Sequence, residues 1–169
     1  MKTTKIALLT SLLTIALFFS NSKVNAQAKT ASASIKGEVK SELILTPTDV
    51  DKLPKTSISQ KDRTDQEHTY SGVELGLVLK NAGVTLAEEL KGENLTKYLL
   101  VEASDGYQVI FSLAEIDPAF TSRKIILANR KDDKLLAADE GPFRIIIEGE
   151  KRKPRNARQV ISLTVKFAN

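Results

Sequence analysis

Five positive charges fall within eight residues at Lys151, Arg152, Lys153, Arg155 and Arg158, directly after Gly149-Glu150 and between two apolar runs. Lysine and arginine at that density on a turn offer charge-assisted bonds, and arginine adds a planar fork that grips a phosphate or carboxylate through two parallel N–H donors. The same residues would equally form a solvated edge that keeps neighbouring strands from pairing with another chain. Other reactive types are scarce. The chain of 169 residues has no cysteine, which removes disulfides, thiolate nucleophiles, cysteine-based zinc sites, iron–sulfur ligation and a lipid-modified cysteine together. His68 is the one histidine, so a zinc site would need carboxylates for its remaining ligands, and the residue reads as part of a solvated loop. Asp62, Asp65 and Glu67 lack the alternating spacing and central glycine of a calcium loop and read as surface charge. No Gly-x-Ser-x-Gly elbow, Ser-x-x-Lys pair, phosphate-cradling glycine loop or His-Glu-x-x-His occurs.

At 41% hydrophobic and 27% charged, the chain has the composition of a globular protein rather than a disordered or multi-span one. Lys2 and Lys5 precede an apolar stretch at residues 6–19, and Val24-Asn25-Ala26 offers small residues for cleavage, which together read as a secretory signal over residues 1–26. The stretch has 14 residues, interrupted by Thr10, Ser11 and Thr14, against the ~20 that span a bilayer. Cleavage is expected to leave no stable membrane insertion and to place the mature chain in a periplasm or outside the cell. Residues 1–26 hold three of the 25 basic residues and none of the 21 acidic ones, so the mature chain carries +1 and the precursor's +4 says little about nucleic acid. Phe18 and Phe19 leave with the signal, so few aromatics remain to stack bases, and no nucleic-acid partner is expected. What remains divides into a small polar leader at residues 27–34 and a single domain at residues 35–169.

A frame must position the basic turn. Ile35, Gly37, Val39, Ser41, Leu43 and Leu45 alternate with more polar neighbours, the period of a half-buried strand. Thr46 can cap a short helix with Pro47 at its first position, running to about Leu53. Residues 56–60 read as a short strand and residues 61–68 as a polar loop. Ser71 and Glu74 have the spacing of a capping box, which predicts a helix over residues 73–82 with Leu75, Val78, Leu79 and Ala82 on one face and Gly83 closing it. Asp105-Gly106 between the apolar runs at residues 98–103 and 107–111 predicts a hairpin. Ser112 and Glu115 repeat the capping-box spacing, for a helix over residues 113–116 stopped by Pro118. Residues 124–128, 143–148 and 159–167 are β-branched and apolar and read as strands. Strands dominate and no βαβ rhythm or internal repeat occurs, so the class is α+β with a mainly antiparallel or mixed sheet and short helices.

In order along the chain, Tyr70-Ser71-Gly72-Val73-Glu74-Leu75, Asn81-Ala82-Gly83-Val84, Ala103-Ser104-Asp105-Gly106-Tyr107, Ile126-Leu127-Ala128 and Gly141-Pro142-Phe143-Arg144-Ile145-Ile146-Ile147-Glu148-Gly149 form a set. The set resembles the oxidoreductase molybdopterin-binding domain, the central domain of the sulfite oxidase family, over about residues 54–165. The resemblance implies that fold, and a molybdopterin cofactor held through its phosphate and pterin by basic side chains and backbone late in the domain. By position Arg144, Lys151, Arg155 and Arg158 fall in the region matching that anion-binding turn. Arg152 sits within the turn, and Asp105 and Tyr107 at the hairpin tip complete the cofactor-side candidates. From the residues alone, Tyr107 either leans over a pocket or packs across the strands.

In the family's enzymes a cysteine followed by Gly-Asn precedes the aromatic-x-Gly-Val segment and gives its sulfur to molybdenum. Here that stretch reads Ser57-Ile58-Ser59-Gln60-Lys61-Asp62-Arg63, with Gln60 near the cysteine's place, and Glu148 follows the apolar strand where the family often has proline. Oxygen and amide ligands match soft coordination poorly. The expectation is an exported, non-catalytic binding or accessory protein whose partner is an anionic small molecule, the cofactor or another protein. The alternatives are a molybdopterin-dependent oxidoreductase with a non-thiolate ligand such as Asp62 or Asp65 and an external redox partner, and a purely structural interaction module.

Overall fold

The computed structural model describes residues 31–168; the expected signal over residues 1–26, and the leader up to residue 30, lie outside the described residues. In chain order the elements are β1 (Ala33–Gly37), β2 (Leu43–Leu45), α1 (Pro47–Asp51), β3 (Thr56–Lys61), β4 (Glu67–Glu74), α2 (Leu75–Asn81), β5 (Lys97–Ala103), β6 (Gln108–Ser112), α3 (Leu113–Ile116), β7 (Ile125–Lys131), β8 (Lys134–Leu135), β9 (Arg144–Ile147) and β10 (Val160–Phe167). Two single 3-10 turns, Ala87–Glu89 and Gly92–Thr96, connect α2 to β5. One sheet has the order β2-β1-β10-β5-β6, with β1 parallel to β10 and the other pairs antiparallel. The second sheet is antiparallel, with β4 on one edge of β7 and both β8 and β9 pairing with β7, while β3 pairs with β4. This is the α+β class with mixed sheets and short helices that the pattern predicts. No helix of the described residues is long and apolar enough to cross a membrane.

Burial explains the two kinds of strand sequence. Along β5 buried and half-buried residues alternate, so one face of the first sheet meets the core and the other meets solvent. In β7 and β9 there is no alternation, because both faces are covered. Ile125, Leu127, Ile145 and Ile147 join Leu75, Val78 and Leu79 of α2 in the main core, while Ile126, Ala128 and Ile146 join Ile58 and Tyr70 in a second cluster. Since side chains alternate along a strand, Arg144 lies on the same face of β9 as Ile146, beside Tyr70.

The caps decide where helices start and stop. Thr46 accepts from the Asp49 N–H and Asp49 in turn accepts from the Thr46 N–H, with Pro47 at the first helical position; α1 ends at Asp51. Ser112 and Glu115 form the same reciprocal pair at α3. The Asp105-Gly106 hairpin forms between β5 and β6. At the end of α2, Gly83 takes φ +74° while its N–H reaches Lys80 O at 2.9 Å and the Val84 N–H reaches Leu79 O at 3.0 Å, closing the helix as its glycine predicts.

Several expectations are corrected. The capping box at Ser71 and Glu74 does not form: both lie in β4, whose backbone is paired on its two edges, and the Glu74 carboxylate accepts the Thr56 hydroxyl instead. Helix α2 therefore begins at Leu75 without a side-chain cap. The alternation over residues 35–45 belongs to two strands, not one, because the chain turns back after Gly37, at φ +91°, where a Cβ would fall 2.1 Å from Val165 O. Strand β1 also starts at Ala33, two residues inside the expected leader. The polar loop shrinks to residues 62–66, since Lys61 and Glu67 pair across a β3–β4 hairpin and His68 sits in β4.

Candidate functional site

Three cations converge on one carboxylate at the mouth of the second sheet. Arg144 Nη1 donates to Glu140 Oε1 and to the Tyr70 hydroxyl, each at 2.9 Å, with its guanidinium 5.0 Å from the Tyr70 ring centre. Lys131 Nζ lies 3.9 Å and Arg158 Nη2 4.0 Å from the same Glu140 oxygen. Arg144 and Glu140 are 7% and 8% exposed, so their pairing is desolvated and each needs the other. Glu140 Oε2, Arg144 Nε and Asn156 Oδ1 are buried with no hydrogen-bond partner among the described residues.

These groups border a cleft of about 1020 Å³ whose other walls are the β3–β4 loop, the β5–β6 hairpin tip and the basic turn between β9 and β10. The turn is fixed from several sides. Asn156 donates to Gln60 Oε1 and Gln60 donates to Ile147 O, both at 2.8 Å. The Tyr107 hydroxyl donates to Pro154 O at 2.9 Å, and Lys153 Nζ donates to Lys61 O. Gln159 donates its side-chain amide to Ala138 O at 2.8 Å.

Of the residues singled out from sequence, Arg144, Lys151, Arg158, Asp105 and Tyr107 line this one cleft. Tyr107 is 44% exposed there and stands over the cleft with its hydroxyl on the basic turn. Asp105 uses a carboxylate oxygen on the Tyr107 N–H, shaping the hairpin tip. Arg155 and Arg152 do not join them. Arg155 is turned away, with its Nε and Nη2 on the two Glu150 oxygens, its Nη1 on Glu115, and its guanidinium 5.0 Å over Phe111, so it fastens the turn to α3. Arg152 is exposed outside the cleft lining. Reading the sequence missed Lys131, Glu140 and Tyr70; Tyr70 and Lys131 stand opposite each other across β4 and β7, and the loop before β9 brings Glu140 to them. Only the spacing of Glu140 four residues before Arg144 offered a signal for the pair.

The β3–β4 loop brings Lys61, Asp62 and Arg63 to the rim. The Thr64 hydroxyl, helped by the backbone N–H groups of Thr64 and Gln66 and by His68, holds the Asp62 carboxyl down to about 2. Across the same corner Asp132 is also held below the usual carboxylate range, first by the Thr69 N–H and then by His68. His68 bridges the two, with Nδ1 2.7 Å from Asp132 and Nε2 3.4 Å from Asp62.

The two sheets make an α+β fold of mixed and antiparallel strands with short helices, and a solved structure shares that fold. The sulfane dehydrogenase SoxCD from Paracoccus pantotrophus is a solved structure similar to this chain, with a TM-score of 0.59 and 20% identity over 80% of this chain and 38% of that one. This chain therefore spans well under half of that protein's length, and the likeness is one of fold. No protein-family model matches the sequence, and no curated protein matches it.

The resemblance implies molybdenum bound through a thiolate, and the donors here do not fit it. There is no cysteine, and the Gln60 amide near that place is engaged at both ends. Asp62 is committed to its own loop and to His68, and Asp65 to Lys61. Among the described residues no three histidine or acidic side chains are grouped to hold a metal ion.

Proposed function

We propose that this chain is an exported, non-catalytic binding protein that keeps an oxidoreductase-like fold and uses the basic cleft to hold an anionic molecule. One observation carries the reading: Lys131, Arg144 and Arg158 share the carboxylate of Glu140, two positive charges in excess around that group, with the exposed Asp139 beside it in the same lining. Partly removed from water, such an excess attracts an anion more strongly than scattered surface charge does. The anion would dock against Lys131 and Arg158, which approach Glu140 only loosely, while Arg144 remains in its buried pair. The lack of a thiolate and the committed amide of Gln60 support a role without metal chemistry. Export rests on the N-terminal charge, apolar stretch and cleavage pattern.

Calorimetric titration with inorganic phosphate and sulfate tests the cleft. Arg158 is half exposed, so Arg158→Glu should fold normally while losing at least about tenfold in affinity. Equal binding by the variant, or no binding by the parent, would remove the anion site. Metal and pterin analysis of natively purified protein is expected to find neither, and molybdenum near one per chain would overturn the non-catalytic assignment. N-terminal sequencing of protein recovered from its own cells tests export, with Gln27 expected first.

A further inference from the structure

We infer that the ligand of this cleft is a compact molecule carrying two or more separated oxyanion groups, of the condensed-phosphate kind, rather than a monovalent anion or a nucleotide. The inference rests on the reading of the cleft as an anion site and adds the class of anion. Four cations at the cleft have, among the described residues, neither a close carboxylate partner nor, as Lys153 has in Lys61 O, a backbone acceptor; they come from different segments and outnumber the three lining carboxylates besides Glu140, which are Asp62, Asp105 and Asp139. Arg63 rises from the β3–β4 loop and Lys151 from the basic turn, neither with an ion-pair partner among the described residues. Lys131 ends β7 and Arg158 precedes β10, and each only shares Glu140 at 3.9 and 4.0 Å.

One tetrahedral ion cannot use charges spread around a space of about 1020 Å³, which is at the upper end of the range of small-molecule pockets. A ligand that reaches the floor and the rim together needs more than one charged group. Its remaining contacts must also be weak. The Gln60 and Gln159 amides are engaged, Gln60 on Ile147 and Asn156 and Gln159 on Ala138 and Ser104, and the one unpartnered amide atom of the lining among the described residues, Asn156 Oδ1, is an acceptor that offers an anion nothing. Tyr70 is buried under Arg144, which leaves Tyr107 as the single exposed aromatic ring in the lining and no second ring to sandwich a heteroaromatic base. Selectivity is left to charge number and spacing. The turn that carries Lys151 and Arg158 is tethered at Pro154 and Asn156, so little ordering accompanies binding.

The test titrates the mature chain with inorganic phosphate, pyrophosphate, tripolyphosphate and adenosine triphosphate at fixed ionic strength, because exposed charges are screened by salt. Tripolyphosphate is expected to bind at least about tenfold tighter than phosphate, with adenosine triphosphate gaining nothing over it. Arg63→Ala and Lys151→Ala, both at exposed positions, should each narrow the gap between tripolyphosphate and phosphate while the unfolding midpoint stays in place. Equal affinity for phosphate and tripolyphosphate would overturn this inference and leave the anion site standing. Binding of the nucleotide well above tripolyphosphate would overturn it as well, by showing a base site. No binding of any of the four would remove both readings.

Discussion

Asn156 and Gln60, 96 residues apart in sequence, are joined amide to amide at 2.8 Å, Asn156 donating to Gln60 Oε1. Gln60 passes its own N–H on to Ile147 O, so the basic turn, β3 and the end of β9 are linked through one side chain. Asn156→Ala leaves a half-buried acceptor without its donor, at a cost of about 1–3 kcal/mol. Urea unfolding should show this as a lowered midpoint, and an unchanged midpoint would mean that water replaces the bond freely.

Glu140 and Arg144 should respond unequally to substitution. Glu140→Gln strips the counterion from three cations at once and is expected to destabilise by about 3–5 kcal/mol. Arg144→Met leaves Glu140 with Lys131 and Arg158 still near, so it should cost less. Equal losses in chemical denaturation would show that the two looser cations contribute nothing.

Acid should weaken the fold below about pH 4 through Asp49 and Asp62. Thr46 holds the first carboxyl, and the Thr64 hydroxyl the second, down to about 2. A carboxyl whose pKa falls on folding binds its proton more readily in the unfolded chain, so its contribution is complete above the ordinary value near ~4 and is lost as pH drops toward the folded value. The urea midpoint is expected to decline between about pH 4 and pH 2, and Asp62→Asn should make that decline shallower. A midpoint that holds steady across the window would contradict it.

His68 ties two hairpin tips together through Asp132 and Asp62. His68→Ala should speed amide hydrogen exchange at residues 62–66 and 132–133 while the buried amides of β7 stay protected. Unchanged exchange at those tips would mean that the turns hold themselves.

Where the deciding physics was local, the sequence was readable. Thr46 with Asp49, Ser112 with Glu115, Asp105-Gly106 and Gly83 each fix a cap or turn within a few residues, and each behaves as its type requires. Ser71 and Glu74 carry the same local signal and fail, because β3 and β7 claim the backbone of β4 from both sides. Density of charge singled out the turn between β9 and β10, yet it could not separate Arg158, which lines the cleft, from Arg155, which Glu115 and Glu150 hold back. That distinction lies in partners distant along the chain. So does the convergence of Lys131, Glu140 and Arg144, which needs β7, β9 and the loop before β9 in place together.

Strand β10, the last among the described residues, is also the middle one of its sheet, lying between β1, with Ile35 opposite Leu163, and β5. A growing polypeptide that has not yet produced Val160 has only two separate strand pairs on that side, β2 with β1 and β5 with β6, and nothing to zip them together. Closure across that sequence separation is slow compared with local pairing. The first sheet is therefore closed in a single step that waits for β10, the strand that joins its two earlier pairs.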